Sequence, residues 1–226
     1  MKILFLGTGA ADWPPEKNGD GEHRRYSSAL IDGTLLIDPG PSVPDALAEY
    51  GIDPSDIKYV INTHRHRDHF SEQTLRFLEE HGATFYPTNS GDEITLDNYT
   101  VKALPAHHRV ETCHFLITER HSQKKLFYAL DGAWLLYAEV AAVIDASPVD
   151  YAVLDATIGF INGDYRIFEH NNLAMVLEMK KTLGKHIKQF CISHMAMTLH
   201  TDHETLTDEM AKHGIEVAYD GFCKEV

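Results

Sequence analysis

The sequence predicts an α/β fold, a four-layer αββα sandwich. Three observations carry this: short apolar β-runs predominate, helical stretches are interspersed in both halves, and no Pro/Gly/Ser-rich linker interrupts the chain. With 226 residues, 43% of them hydrophobic and 24% charged, the chain can bury one substantial core but not two full-sized ones. A single domain over residues 1–226 is therefore expected. The composition excludes disorder, collagen and a disulfide scaffold.

The elements follow in order. Ile3 to Leu6 reads as a buried first strand, and Ser28 to Ile31 and Thr34 to Ile37 as a hairpin turning at Asp32-Gly33. Residues 11–26 hold Pro14, Pro15, Gly19 and Gly21 among many charges and form a long loop, a candidate wall of the substrate pocket. Pro44 to Tyr50 is helical and Ile57 to Asn62 a strand. Ser71 to His81 has helical periodicity through Leu75, Phe77 and Leu78. A run of strands follows at Thr84 to Tyr86, Thr95 to Leu96, Tyr99 to Leu104, Cys113 to Thr118 and Leu126 to Leu130. Helices at Trp134 to Ile144, Asn172 to Leu183 and His203 to Lys212 then alternate with strands at Tyr151 to Leu154, Gln189 to Ile192 and Glu216 to Ala218.

Lys and Arg number 20 against 34 Asp and Glu, a formal net charge of -14, so a large nucleic-acid partner is not expected. A small anionic substrate stays open if metal ions supply the positive charge. Cys113, Cys191 and Cys223 are widely spaced with no CxxC pair, which argues against disulfides and a Cys-rich zinc site. The apolar run after Met1-Lys2 is too short for a signal peptide, and no stretch reaches the length of a membrane span. A cytoplasmic protein without membrane association is the expectation.

The chemistry concentrates in Thr63-His64-Arg65-His66-Arg67-Asp68-His69, directly after a predicted strand. In an extended segment His64 and His66 share one face and Arg65 and Arg67 the other. Three imidazoles and a carboxylate at a strand mouth are a ligand set for zinc or another divalent ion. So short a span cannot close four ligands around one ion, so others must come from elsewhere. Three strand ends offer them: Pro105-Ala106-His107-His108, Asp131-Gly132 and Ser193-His194.

These motifs in this order, with Gly7-Thr8-Gly9 and Leu36-Ile37-Asp38-Pro39-Gly40 before them, resemble the metallo-β-lactamase fold superfamily over nearly the whole length. The resemblance implies two divalent ions, with Zn the first expectation and Mn or Fe the alternatives. One ion would be held by His64, His66 and a His of the Pro-Ala-His-His stretch. The family often places this ligand three residues after a Pro, which favours His108, with His107 left open. The other ion would be held by Asp68, His69 and His194, with Asp131 bridging. Asp38 would orient a ligand imidazole from behind.

A zinc β-lactamase generally carries Cys where Asp131 stands, and glyoxalase II and lactonase relatives show a Pro-Gly-His-Thr type of third motif. The diiron relatives would bring a flavodoxin domain, for which this chain has no room. Leu154-Asp155-Ala156-Thr157, Phe168-Glu169-His170-Asn171-Asn172 and Ile192-Ser193-His194 are similar to the phosphodiesterase branch, which includes ribonuclease Z and a cyclic phosphodiesterase of phosphonate breakdown. In those relatives a His at the His170 position is thought to protonate the leaving oxygen, supported by an acid near Asp155. The chain lacks the basic arm of a tRNA processor and the Cys-rich structural zinc site of the phosphonate enzyme.

The resemblance thus implies a phosphodiesterase in which a metal-bridging hydroxide, oriented by Asp68, attacks the phosphorus and His170 protonates the leaving group. Arg24, Arg25, Ser27 and His200 are candidate substrate clamps, Arg25 and His200 foremost. A lactonase or thioesterase on the same site is the alternative, then a non-catalytic metal sensor. Gly7-Thr8-Gly9 fails as a dinucleotide fingerprint because Asp12 stands at the third Gly position. A homodimer is a family-level expectation.

Overall fold

The computed structural model describes residues 1–17 and 21–226. Residues 18–20, Gly19 among them, belong to the loop expected over 11–26 and lie outside the described residues. The chain divides into two compact units, Met1–Thr88 with Ala218–Glu225, and Asn89–Val217 with Val226.

The first unit carries a six-stranded mixed sheet. β1 (Lys2–Gly7), β2 (Ser28–Ile31) and β3 (Leu35–Ile37) run antiparallel in turn, and β4 (Tyr59–Ile61) and β5 (Thr84–Phe85) continue in parallel. A C-terminal strand, Cys223–Glu225, pairs antiparallel with the other side of β1. Asp32 and Gly33, both at positive φ, make the tight β2–β3 turn. Helix α1 (Val43–Glu49) starts with Pro44 in its first turn, where the missing N–H costs nothing. Helix α2 (Glu72–Glu80) is capped by Ser71, whose hydroxyl accepts from Thr74 N–H at 3.2 Å. The helices bury Val43, Ala46, Leu47 and Leu78 with Leu6, Leu30, Leu36 and Val60. Each Val or Leu among them contributes about 1.5–3 kcal/mol.

The second unit carries a seven-stranded mixed sheet. β6 (Glu93–Thr95), β7 (Tyr99–Pro105), β8 (Cys113–Glu119) and β9 (Lys125–Ala129) form an antiparallel meander. β10 (Val149–Asp155), β11 (Ile187–Ser193) and β12 (Ile215–Val217) then run parallel to β9. Parallel neighbours need crossovers, which α3 (Tyr137–Asp145), α4 (Leu173–Leu183) and α5 (His203–Ala211) provide. Val143, Leu173, Val176, Met179, Leu206 and Met210 pack with Phe127, Ala152, Leu154, Phe190 and Ile192. β10 is buried at every position, as expected of a central strand covered on both faces.

This topology places the chemistry. β9, β10 and β11 end at one edge, with Leu154 beside Ala129 and Asp155 beside Ser193. Residues just beyond them emerge side by side, the usual location of binding groups in parallel sheets. β8 runs the other way, so its first residues, Cys113 and His114, lie at that same edge.

Several boundaries differ from expectation. α3 begins at Tyr137 rather than Trp134, because Trp134 has φ +59° and cannot continue a right-handed helix. The strand expected over Ile57 to Asn62 contracts to Tyr59–Ile61. α4 begins at Leu173 behind its cap Asn172, so His170 precedes the helix and follows a 3-10 turn, Tyr165–Phe168. That turn, a second at Pro54–Asp56 and the C-terminal strand are not expected from the sequence. Among the described residues, no helix is long and apolar enough to cross a membrane.

Candidate functional site

In the first unit, β3 and β4 pair in parallel with Ile37 opposite Ile61, so Asp38 follows across from Asn62 and within reach of Thr63. Asp38 is fully buried at φ +63°. It accepts from Thr63 N–H at 2.7 Å, Thr63 Oγ1 at 2.9 Å, Asn62 Nδ2 at 3.0 Å and His69 Nδ1 at 2.8 Å. The Thr63 hydroxyl has one hydrogen and gives it to Asp38. It can therefore only accept from His64 Nδ1, 3.0 Å away. His64 Nε2 lies 2.9 Å from His66 Nδ1, and His69 Nε2 lies 3.4 Å from Asp68 Oδ2. Arg65 turns the other way and lies over the Phe70 ring. His69 and Phe70 N–H both donate to the His66 carbonyl, which makes the turn toward α2. Gly40 permits this path, since a Cβ there would sit 2.5 Å from the Asp68 carbonyl oxygen.

In the second unit, Asp131, Asp155, His170 and His194 bring ligand atoms within 4.8 Å of one another. Asp131 Oδ2 is 3.1 Å from His194 Nε2, and Asp131 Oδ1 is 4.0 Å from His108 Nε2. Asp155 accepts from Thr157 Oγ1 at 2.9 Å, so the Thr157 hydroxyl in turn accepts from His194 Nδ1 at 2.8 Å. His170 Nδ1 lies 3.1 Å from Asp155 Oδ2 and 3.5 Å from Asp131 Oδ1. Burial pushes the Asp155 carboxyl up, but the charges and hydrogen bonds of His170 and His194 more than reverse this and hold it low. Burial alone would lower His170; the Asp155 charge and hydrogen bond, with Asp131, outweigh it and raise the imidazole.

One pattern unites both units. His64, His69, His108 and His194 each give Nδ1–H to an oxygen: Thr63 Oγ1, Asp38 Oδ2, the Glu169 carbonyl at 3.1 Å, and Thr157 Oγ1. Each therefore keeps the Nε2 lone pair, the tautomer of a metal ligand oriented from behind. Imidazole nitrogens and carboxylate oxygens without thiolate fit a borderline divalent ion such as zinc. Asp38, Asp131 and His194 are all non-glycine residues at left-handed φ, strain of the kind that gathers at functional positions.

The other predicted residues fall as follows. His107 is exposed, and its carbonyl accepts from Ala133 N–H, whereas the His108 side chain is buried. Arg25 pairs with Glu49, bonds Tyr50 Oη at 3.2 Å and gives its N–H to Asp220. Arg24 is buried on Thr8 Oγ1 and the Ala218 carbonyl, and the Ser27 hydroxyl donates to the Gly9 carbonyl. All three clamp candidates from the long loop are thus engaged in tying down the early strands. His200 Nε2 donates to the Ala156 carbonyl. Sequence reasoning missed the roles of Thr63 and Thr157 as imidazole anchors, and missed buried His114 and Glu139 altogether. The signal for the threonines was their place next to a predicted ligand or supporting acid.

The family described as "Metallo-beta-lactamase superfamily" matches residues 24–72, the stretch that holds Asp38 and the His64–His69 motif. A solved metallo-β-lactamase fold protein, YhfI from Bacillus subtilis, is 17% identical with a TM-score of 0.77, over 100% of this chain and 99% of that one. The fold is that of the metallo-β-lactamase superfamily. A diphosphatase from the PhnP family (19% identity, TM-score 0.71, 100% and 97% covered) shares the metallo-β-lactamase fold. The short form of human tRNase Z does too (17%, 0.69, 100% and 99%). A search of curated proteins by sequence finds no match. The α/β class stands on these likenesses together with the two mixed sheets and their flanking helices.

Proposed function

We propose that the protein is a metal-dependent hydrolase that cleaves a small anionic phosphodiester. The observation that carries this is the shared tautomer of four imidazoles, each anchored at Nδ1 with Nε2 held for coordination. His64, His66 and His108 would hold one divalent ion and Asp68, His69 and His194 the other, with Asp131 shared. When bound, the ions would supply charge neutralisation at the phosphoryl oxygens and activation of water near neutral pH.

The chain's own residues do the rest. Asp68 accepts a proton from the attacking water and fixes its direction. Asp38, Thr63 and Thr157 hold the imidazoles so that coordination costs little reorganisation. His170, its Nδ1 anchored by Asp155, presents Nε2 to protonate the leaving oxygen. The His170–Asp155 pair suits any alkoxide leaving group. The preference for phosphodiester over acyl chemistry is supported by the similarity of Leu154-Asp155-Ala156-Thr157 and Phe168-Glu169-His170-Asn171-Asn172 to the phosphodiesterase branch.

Two variants and a substrate panel test the reading. Asp68→Asn should lower metal-dependent hydrolysis of bis-(p-nitrophenyl) phosphate by about 10²-fold or more while the far-UV spectrum stays unchanged. His170→Ala should slow alkyl diesters far more than nitrophenyl diesters, whose leaving group needs no proton. Equal losses on both would remove His170 as the acid. Turnover of lactones or thioesters without phosphodiesters would overturn the substrate class.

A further inference from the structure

His114 and Glu139 form a buried pair that the reaction above does not use. Their side chains are 1% and 0% exposed, and His114 Nδ1 lies 2.5 Å from Glu139 Oε1. The other carboxylate oxygen accepts from Leu136 N–H at 2.7 Å, so Glu139 also closes the first turn of α3. The other ring nitrogen, His114 Nε2, lies 3.1 Å from the Leu130 carbonyl oxygen. That carbonyl can only accept, so Nε2 carries a hydrogen. This is the opposite of the four anchored imidazoles, whose Nε2 is bare, and it leaves His114 no ring lone pair facing Asp131.

Leu130 immediately precedes Asp131, which holds φ +58°. On the far side, Gly132 packs onto the same ring: a Cβ there would lie 2.6 Å from His114 Cε1. The imidazole thus grips both flanks of Asp131. We propose that His114, locked by Glu139, is a positioning residue that fixes the left-handed Asp131 backbone and so aims its carboxylate at His194 and His108. This rests on the reading of Asp131 as a shared metal ligand.

The test compares two near-isosteres in the full chain. Asn at 114 places its amide near the Nδ1 position and keeps contact with Glu139, but cannot reach Leu130. Gln at 114 reaches the Nε2 position and restores the bond to the Leu130 carbonyl. His114→Asn should weaken zinc binding, read by competition with a chromophoric chelator, by about tenfold or more. It should also move the backbone amide resonances of Asp131 and Gly132 in the metal-free protein. His114→Gln should return both readouts toward wild type. In the wild-type ring spectrum, His114 Nε2 should be protonated.

A bare Nε2 would overturn the proposal, as would wild-type zinc affinity in His114→Asn. Losses in both variants that merely track their melting temperatures would overturn it too, since that is bulk destabilisation. If wild-type protein binds no zinc, the metal reading falls. The metal-free amide shifts then still decide whether His114 sets Asp131, and unchanged shifts reject it. Should His114→Asn not fold, Glu139→Leu, which removes the carboxylate that locks His114 Nδ1, serves instead. Weaker zinc binding with shifted Asp131 and Gly132 amides then supports the proposal, and wild-type values of both overturn it.

Discussion

Asp38 spends both carboxylate oxygens on buried donors, with two to Thr63, one to Asn62 and one to His69. Asn at this position would present an amide where an acceptor is needed, and either Thr63 or His69 would lose its partner. Asp38→Asn should therefore cost about 1–3 kcal/mol in urea unfolding, the price of a buried unsatisfied group. It should also weaken zinc binding by about 10–100-fold. Full affinity in a destabilised variant would separate Asp38 from the site. The cysteines give a second prediction. Burial, then Glu111 and Asp92, push the Cys113 thiol up to about 11, while Cys223 is exposed. Because the thiolate is the nucleophile, iodoacetamide at pH 8 should label Cys223 well before Cys113 in the native protein. Mass spectrometry of the labelled peptides decides it, and equal labelling would contradict this burial.

α5 shows how an element carries its own pH dependence. Its cap Asp202 accepts from Thr205 N–H at 2.9 Å and Thr205 Oγ1 at 2.8 Å, which lower its carboxyl below the ordinary 3.8. A folded-state value below the unfolded one means the cap's contribution is fully present above pH 3.8 and is lost as pH falls through the lower value. Amide exchange in the first turn of α5 should accelerate over that range, and Asp202→Asn should flatten the response. A variant with the wild-type pH profile would rule Asp202 out as its source. Elements such as α5 were legible in sequence because capping and apolar spacing agree there. The HxHxDH turn and the ends of β9, β10 and β11 were legible because a polar residue closing an apolar run marks a sheet rim. α3 was misplaced at its start because the signal that opens it, Glu139 reaching back to Leu136, resembles any helical Glu. The C-terminal strand Cys-Lys-Glu has no alternation to read, and it exists only because β1 offers an edge. His114 was invisible for a different reason: its partners lie 25 and 16 positions away, and only the strand order brings them together.

At the scale of the whole molecule, the formal net charge of -14 is the feature that metal binding must change. Two divalent ions would bring it to -10 (adding +4), and of the groups proposed to hold them only the carboxylates of Asp68 and Asp131 carry negative charge. Ions that bind the folded chain and not the unfolded one stabilise it by mass action, about 2.7 kcal/mol for each site at a hundredfold excess over Kd. For a chain of this size each kcal/mol moves the melting temperature by about 2–4 °C. Stripping metal with a chelator should therefore lower the calorimetric Tm by about 5–20 °C, according to whether one or both sites were filled. Zinc should restore it. Added NaCl should raise the Tm of the stripped protein more than that of the loaded one, because screening relieves carboxylate repulsion that the ions already neutralise. Identical melting curves before and after chelation, with metal content confirmed by elemental analysis, would mean the anchored imidazoles serve the fold alone.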